Sequence, residues 1–382
     1  MNHHPANPLL SRRAFTLGGA ALLGAAAAGS LGGTAYAAAP PSGEWADVPI
    51  PPLSGRAQLY GIAAPDPWHV IAGGTENAFQ PDANAVMLHR GMRGWTRAPL
   101  PEGLAVVNDV RARHIADAWA VAAGPDAAAR TDLLHWNGRR WTTVAGPAGE
   151  QLYAIELDGT GALWATGITA DGATVSVRRH GRWTNTLTLP GSGGLNAVAA
   201  GSPSDVWVGG IGRSSADPTP LWHFDGVSWT RMPWGTTYAH WILQIEHVAP
   251  DDVWFYALEQ HPLFPPPTLH HWNGSEFTVH RIPGPSDPVG GVGDVRPASL
   301  VGFLGSITSD GRGGVWVSTP SDTSHLLHFD GASWTRETAP VPVTAYSMTR
   351  VPHTTTVWAG TQVGTVWRRS ALSLPGDPLV PR

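Results

Sequence analysis

One hairpin phrase recurs along the chain. LLHWNGRRWTTV (133–144), LWHFDGVSWTRM (221–232), LHHWNGSEFTVH (269–280) and LLHFDGASWTRE (326–337) share a pattern, and MLHRGMRGWTRA (87–98) and VRRHGRWTNT (177–186) are degenerate copies. Each reads as a strand, a tight Asn-Gly or Asp-Gly turn, and a second strand carrying an aromatic residue. Upstream of each hairpin lies another tryptophan: Trp68, Trp119, Trp164, Trp207, Trp254, Trp316 and Trp358. Upstream again comes an apolar strand: LYGI (59–62), VNDV (107–110), LYAI (152–155), LNAV (195–198), ILQI (242–245), LGSI (304–307) and AYSM (345–348). The step from the end of that strand to the tryptophan is nine residues in five units, six in the first and ten in the last.

Four short strands in a unit of about 49 residues, repeated seven times, predict an all-β fold: a seven-bladed β-propeller of four-stranded antiparallel blades. The 46 Gly and 35 Pro are spread throughout, which suits many short strands and excludes a long-helix protein. The seventh unit lacks an aromatic fourth strand, and the missing piece sits at the other end, in GEWADVPI (43–50). The N-terminal strand is therefore expected to complete the last blade and close the ring, removing an open sheet edge. On this scheme seven tryptophans lie in second strands, and Trp45, Trp95, Trp141, Trp183, Trp229 and Trp334, with Phe277, lie in fourth strands. Trp136, Trp222, Trp272 and Trp367 fall in or beside third strands, so only Trp234 and Trp241 lie outside the pattern.

The first 37 residues form a separate unit. Ser11-Arg12-Arg13-Ala14-Phe15 precedes a short Gly/Ala-rich apolar run and Ala35-Tyr36-Ala37, the layout of a cleavable export signal. The paired arginines resemble the twin-arginine signal, with Thr16-Leu17 in place of the usual Leu-Lys. The resemblance implies export of the folded protein, leaving residues 38–382 as a single secreted domain with no membrane attachment. The chain has no cysteine and no lysine and a formal charge of −5, which becomes more negative when Arg12 and Arg13 leave with the leader. Such a surface argues against nucleic-acid or anionic-membrane partners. A monomer is expected.

The repeats resemble those of secreted bacterial seven-bladed propellers. The DGTGALW (158–164) and DGRGGVW (310–316) turns are similar to those of the streptogramin-lyase type and of sensor-domain propellers, and the LHWNG hairpins to tryptophan-rich, lectin-like propellers. These motifs specify the blade and not the activity. No H-E-x-x-H, G-x-S-x-G or phosphate-binding Gly loop occurs, so neither metal nor cofactor is expected. His89, His135, His223, His271 and His328 recur once per hairpin and are expected to satisfy local hydrogen bonds.

Loop length marks one face as elaborated. The connection from Phe277 to Leu304 takes 27 residues, and 21 separate Trp68 from His89 where 16 separate the matching residues of blades two and four. Around blades four to six this face gathers Trp234, Tyr238, His240, Trp241, Glu259, His261, Asp294 and Arg296, with Glu76, Asn77 and Phe79 across the mouth. Aromatics beside carboxylates and an arginine suit a glycan or another small polar extracellular ligand. The alternative for Trp234 and Trp241 is that they cap the core of blade four. The channel is a second candidate, because the descending ends of the first strands carry Arg111, Arg113, Glu156, Glu246, His247 and Arg350. Adjacent strand residues point to opposite sides, so only one of Glu246 and His247 can face the channel. Three functions stay open: a binding protein, an extracellular lyase or glycoside-active hydrolase using rim His, Glu and Asp residues, and a passive interaction scaffold.

Overall fold

The computed structural model describes residues 43–125, 131–211, 220–234, 240–259, 267–285, 287 and 305–370, with His240 and Glu259 described for the backbone only. The expected leader lies outside the described residues. The described chain forms 28 strands in seven four-stranded antiparallel sheets, and no helix. In blades one to six the strands follow sequence order, from the axis outward. Blade seven consists of Ala345–Arg350, Val357–Thr361, Val366–Arg369 and, as its outer strand, Trp45–Val48. Trp45 stands opposite Arg369 and Asp47 opposite Trp367, so the ring closes as the sequence predicts.

The hairpin turns explain the recurrent Asn-Gly and Asp-Gly. The side-chain oxygen of the first residue accepts two backbone N–H groups across the loop: Arg139 and Arg140 for Asn137, Val227 and Ser228 for Asp225, Ser275 and Glu276 for Asn273, Ala332 and Ser333 for Asp330. The following glycines, Gly138, Gly226, Gly274 and Gly331, take φ of 86 to 94°, where a Cβ would be strained.

The core is a set of seven wedges, one at each blade boundary, instead of one central mass. At four boundaries the second-strand tryptophan of one blade meets, edge to face, the fourth-strand aromatic of the next. The pairs are Trp164–Trp229, Trp207–Phe277, Trp316–Trp45 and Trp358–Trp95, with ring centroids 5.5–6.3 Å apart. Histidines support this array. His135, His223, His271 and His328 lie against Trp119, Trp207, Trp254 and Trp316 at 4.0–4.5 Å, and each bonds Asp117, Asp205, Asp252 or Asp310 through Nε2 at 2.8–3.0 Å.

Blade one departs from the expected scheme. Trp68 occupies the turn before the second strand, His69–Glu76, and is 36 % exposed. The residue opposite His89, where other blades place tryptophan, is Ile71. Asp66 holds the turn by accepting the N–H groups of Trp68 and His69.

Candidate functional site

The first strands converge on the axis, and six of them carry a β-bulge at one matching position: Tyr60, Asn108, Tyr153, Asn196, Leu243 and Tyr346. A bulge re-aims a side chain and disrupts the ladder locally. At two boundaries the residue after the bulge reaches to the neighbouring blade, and at a third Ser306 of blade six, whose described first strand has no bulge, does the same. Asp109 Oδ2 accepts from Ile155 N at 3.2 Å, Gln244 Oε1 from Ile307 N at 3.0 Å, and Ser306 Oγ from Met348 N at 2.9 Å. The channel wall is therefore braced by side-chain bonds between inner strands as well as by the wedges outside it.

Inside that wall is a cavity of about 460 Å³ that reaches the face carrying the short turns. Of the six channel candidates in the sequence, Arg111, Arg113, Glu156, Glu246 and Arg350 line it. His247 does not. It turns away to Asp205 of blade four, Nε2 to Oδ2 at 2.7 Å, and is 9 % exposed. Asp205 also accepts from His223 and Trp207. These bonds hold its carboxyl far below the ordinary carboxylate range despite burial, which acts the other way. Glu246 and His247 thus part to opposite sides of the strand, and no histidine is among the residues lining the cavity.

The charged groups fall on two walls. On blades two and three, Arg111 donates from Nη1 to Asp109 at 2.5 Å and from Nε to Glu156 at 2.9 Å. On blades five to seven, Glu246 Oε1 accepts from Ser309 N at 2.8 Å and Thr308 Oγ1 at 3.2 Å. Arg350 donates from Nε to Ser309 Oγ at 2.7 Å and from Nη1 to Thr354 O at 3.1 Å. Burial raises the carboxyl pKa of both Glu156 and Glu246; Arg111 and the Leu157 amide oppose the rise at Glu156, and the Ser309 amide and Arg350 at Glu246. Between the charged walls stand two bare ones, Ala200-Gly201 of blade four and Ala63-Ala64-Pro65 of blade one. Tyr60 and Tyr346 stack on each other deeper in the channel, 5.7 Å apart and nearly parallel.

The two Asp-Gly turns that stood out in the sequence seat the outer arginines. A Cβ on Gly161 would meet Arg113 Nη1 at 2.4 Å, and one on Gly311 would meet Arg350 Nη1 at 3.2 Å. Both glycines have positive φ, so the close approach and the backbone conformation alike require glycine.

The rim constellation is not assembled by the described residues. Tyr238, His261, Asp294 and Arg296 lie outside them. His240 and Glu259 are backbone partners across the first two strands of blade five. Trp234 is 6 % exposed and sits in the wedge between blades four and five, stacked on His270 at 4.1 Å and edge-on to Phe255 at 5.7 Å. It offers no open face to a ligand, and the core-capping alternative describes it. Trp241 is half-buried against the wedge between blades five and six. Across the mouth, Glu76 is engaged by Arg97 and the Ser54 amide, which hold its carboxyl below the ordinary value against the effect of burial. Asn77 bonds Asp82, and Phe79 is exposed with φ of 68°.

No protein-family profile matches this chain, and no curated protein matches it. Solved structures match its fold. YCF48 bound to D1 peptide superposes with a TM-score of 0.57 at 15% identity, covering 86% of this chain and 98% of that one. YCF48 from Cyanidioschyzon merolae gives 0.57 at 14% identity, with 85% and 98% covered. A catalytically inactive histidine-to-alanine variant of virginiamycin B lyase from Staphylococcus aureus, with quinupristin, gives 0.56 at 14% identity, with 85% and 98% covered. At this identity the likeness is one of fold.

Proposed function

We propose that this protein is an exported binding protein that takes a small polar ligand in the channel of its propeller. The observation that carries the reading is the cavity of about 460 Å³ lined by Arg111, Arg113, Glu156, Glu246 and Arg350. Arg111, Glu156, Glu246 and Arg350 are held by neighbours on the inner strands and their turns, which suits recognition by a preorganised site. Binding is favoured over catalysis because Glu156 is engaged by Arg111, Glu246 is held through Oε1 by the Ser309 amide, and no histidine is among the described residues lining the cavity. The structural neighbours agree with occupancy by small or peptidic ligands: one is described with a peptide, another with quinupristin. Export by the twin-arginine route, as the Arg12-Arg13 leader implies, places that ligand outside the cytoplasm, and a monosaccharide or short glycan falls within the class.

The test is a thermal-shift screen of the purified full-length chain against sugars, amino acids and organic acids, repeated on Glu246→Gln. A hit whose shift shrinks in the variant supports the channel. Hits that shift both proteins equally place the ligand elsewhere and overturn the reading.

A further inference from the structure

The hydrogen bonds of the cavity wall leave two charged groups without a full set of partners. Asp109 and Glu156 are engaged by Arg111, and Arg350 by Ser309 and Thr354. Asp158, which also lines the cavity, turns its oxygens into its own loop and to the Trp164 indole. Glu246 is different: both its bonds fall on Oε1, so Oε2 receives none from a described residue and is open to the cavity. Arg113 lies over Gly161, exposed, and makes no hydrogen bond or ion pair with a described residue. One carboxylate oxygen without a hydrogen bond from a described residue and one guanidinium without a described partner thus border the same space, on opposite charged walls.

The geometry points to a zwitterion of the α-amino-acid type, a free amino acid or dipeptide, as the ligand of this channel, its ammonium on Glu246 and its carboxylate on Arg113. This inference rests on the binding reading above and narrows it. Three observations carry it. The wall holds four carboxylates and three guanidiniums, an excess of one negative charge that disfavours an anionic ligand, whereas a zwitterion adds no net charge to the confined space. The bare surfaces of blades one and four leave room for a ligand body between the charged walls. The aromatic rings among the described residues lining the cavity, Tyr60 and Tyr346, are stacked on one another, so each has one face already covered and they form no apposed pair to hold a sugar ring between them. Burial that raises the Glu246 carboxyl is offset when an ammonium arrives, since an opposite charge restores the ionised form.

The experiment is titration calorimetry on the purified full-length chain. The probes are the free L-amino acids, glycyl-glycine, the N-acetyl and C-amide derivatives of whichever binds, and a set of mono- and disaccharides. A free amino acid or dipeptide should bind, and N-acetylation and amidation should each weaken it about tenfold or more, the loss of one charge-assisted contact. Glu246→Gln, which keeps an acceptor for Ser309, should bind the free and N-acetyl forms alike. Arg113→Gln should bind the acid and the amide alike. Melting curves check that both variants fold. If no amino acid or dipeptide binds but a sugar does, and Glu246→Gln weakens it, the zwitterion is wrong and the channel reading stands. If nothing binds, or binding ignores both variants, both readings fall.

Discussion

The indole Nε1 of Trp141 donates to Nε2 of His89 at 3.0 Å, across the boundary between blades one and two. The bond needs a lone pair on Nε2, so it fixes His89 in the neutral form with the proton on Nδ1. Trp136 packs edge-on to the same ring at 4.5 Å. Burial pushes the His89 pKa down to about 4 from an ordinary value near 6.5. In that window the unfolded chain binds a proton that the folded one refuses, so stability rises with pH. His89 should therefore cost the fold progressively as pH drops from about 6.5 to about 4, by at most about 3 kcal/mol. Denaturant unfolding at pH 7 and pH 4.5 checks it: His89→Gln should flatten the difference, and an unchanged difference would assign the acid sensitivity to other groups.

Ring closure rests on four residues. Trp45–Val48 forms the outer strand of blade seven, and Trp45 packs edge-on to Trp316 at 5.5 Å. Deleting residues 43–50 should expose the edge at Val366–Arg369 and empty the place of Trp45, lowering stability by about 3–5 kcal/mol. An unchanged melting temperature in the truncated chain would mean that the strand contributes nothing to closure.

Much of this architecture is legible in the sequence because each blade repeats the same local chemistry. The anomaly in blade one was legible as well: counting nine residues on from Ile62 reaches Ile71, the residue that faces His89, and the six-residue step to Trp68 marks the tryptophan as displaced into the turn. The channel charges were visible as Arg111, Glu156, Glu246 and Arg350 at strand ends. Their relative engagement was not, since it depends on which neighbouring blade offers an amide or hydroxyl. Trp234 misled because it breaks the repeat, and a residue outside a repeat can still fill the gap between two repeats. Five of the six bulge positions carry a sequence signal, a Tyr or Asn inside a largely apolar first strand, and Leu243 carries none.

A glycine on the inner strand of blade four carries a steric constraint. A Cβ on Gly201 would come within 2.1–2.7 Å of the His247 ring, which Asp205 pins in place. Gly201→Ala should cost about 1–3 kcal/mol by overpacking. In the background of His247→Ala the same change should cost much less, and the double-mutant cycle isolates the coupling. Additive losses would show that the ring moves aside freely.

Export should depend on the arginine pair. Arg12→Lys with Arg13→Lys is expected to leave uncleaved precursor in the cytoplasm, since the resemblance to a twin-arginine signal rests on those two residues. Fractionation with an antibody to the folded domain reads the result. Normal secretion of the double variant would assign the leader to the general route.

The place of Trp234 distinguishes a core tryptophan from a ligand-stacking one. A stacking residue keeps a free face, so its removal costs affinity and little stability. Trp234 has both faces occupied in the wedge between blades four and five, where His270, Phe255 and Phe277 surround it. Trp234→Ala should therefore behave like Trp207→Ala, a second-strand residue of the same wedge, each losing about 3–5 kcal/mol through the cavity left behind. Trp241, half-buried at the next boundary, should lose less. Melting curves of the three variants rank them directly. A Trp234→Ala protein as stable as the parent would return this residue to the rim and with it the case for a ligand on the elaborated face, whereas losses matching Trp207→Ala leave the channel as the site to probe.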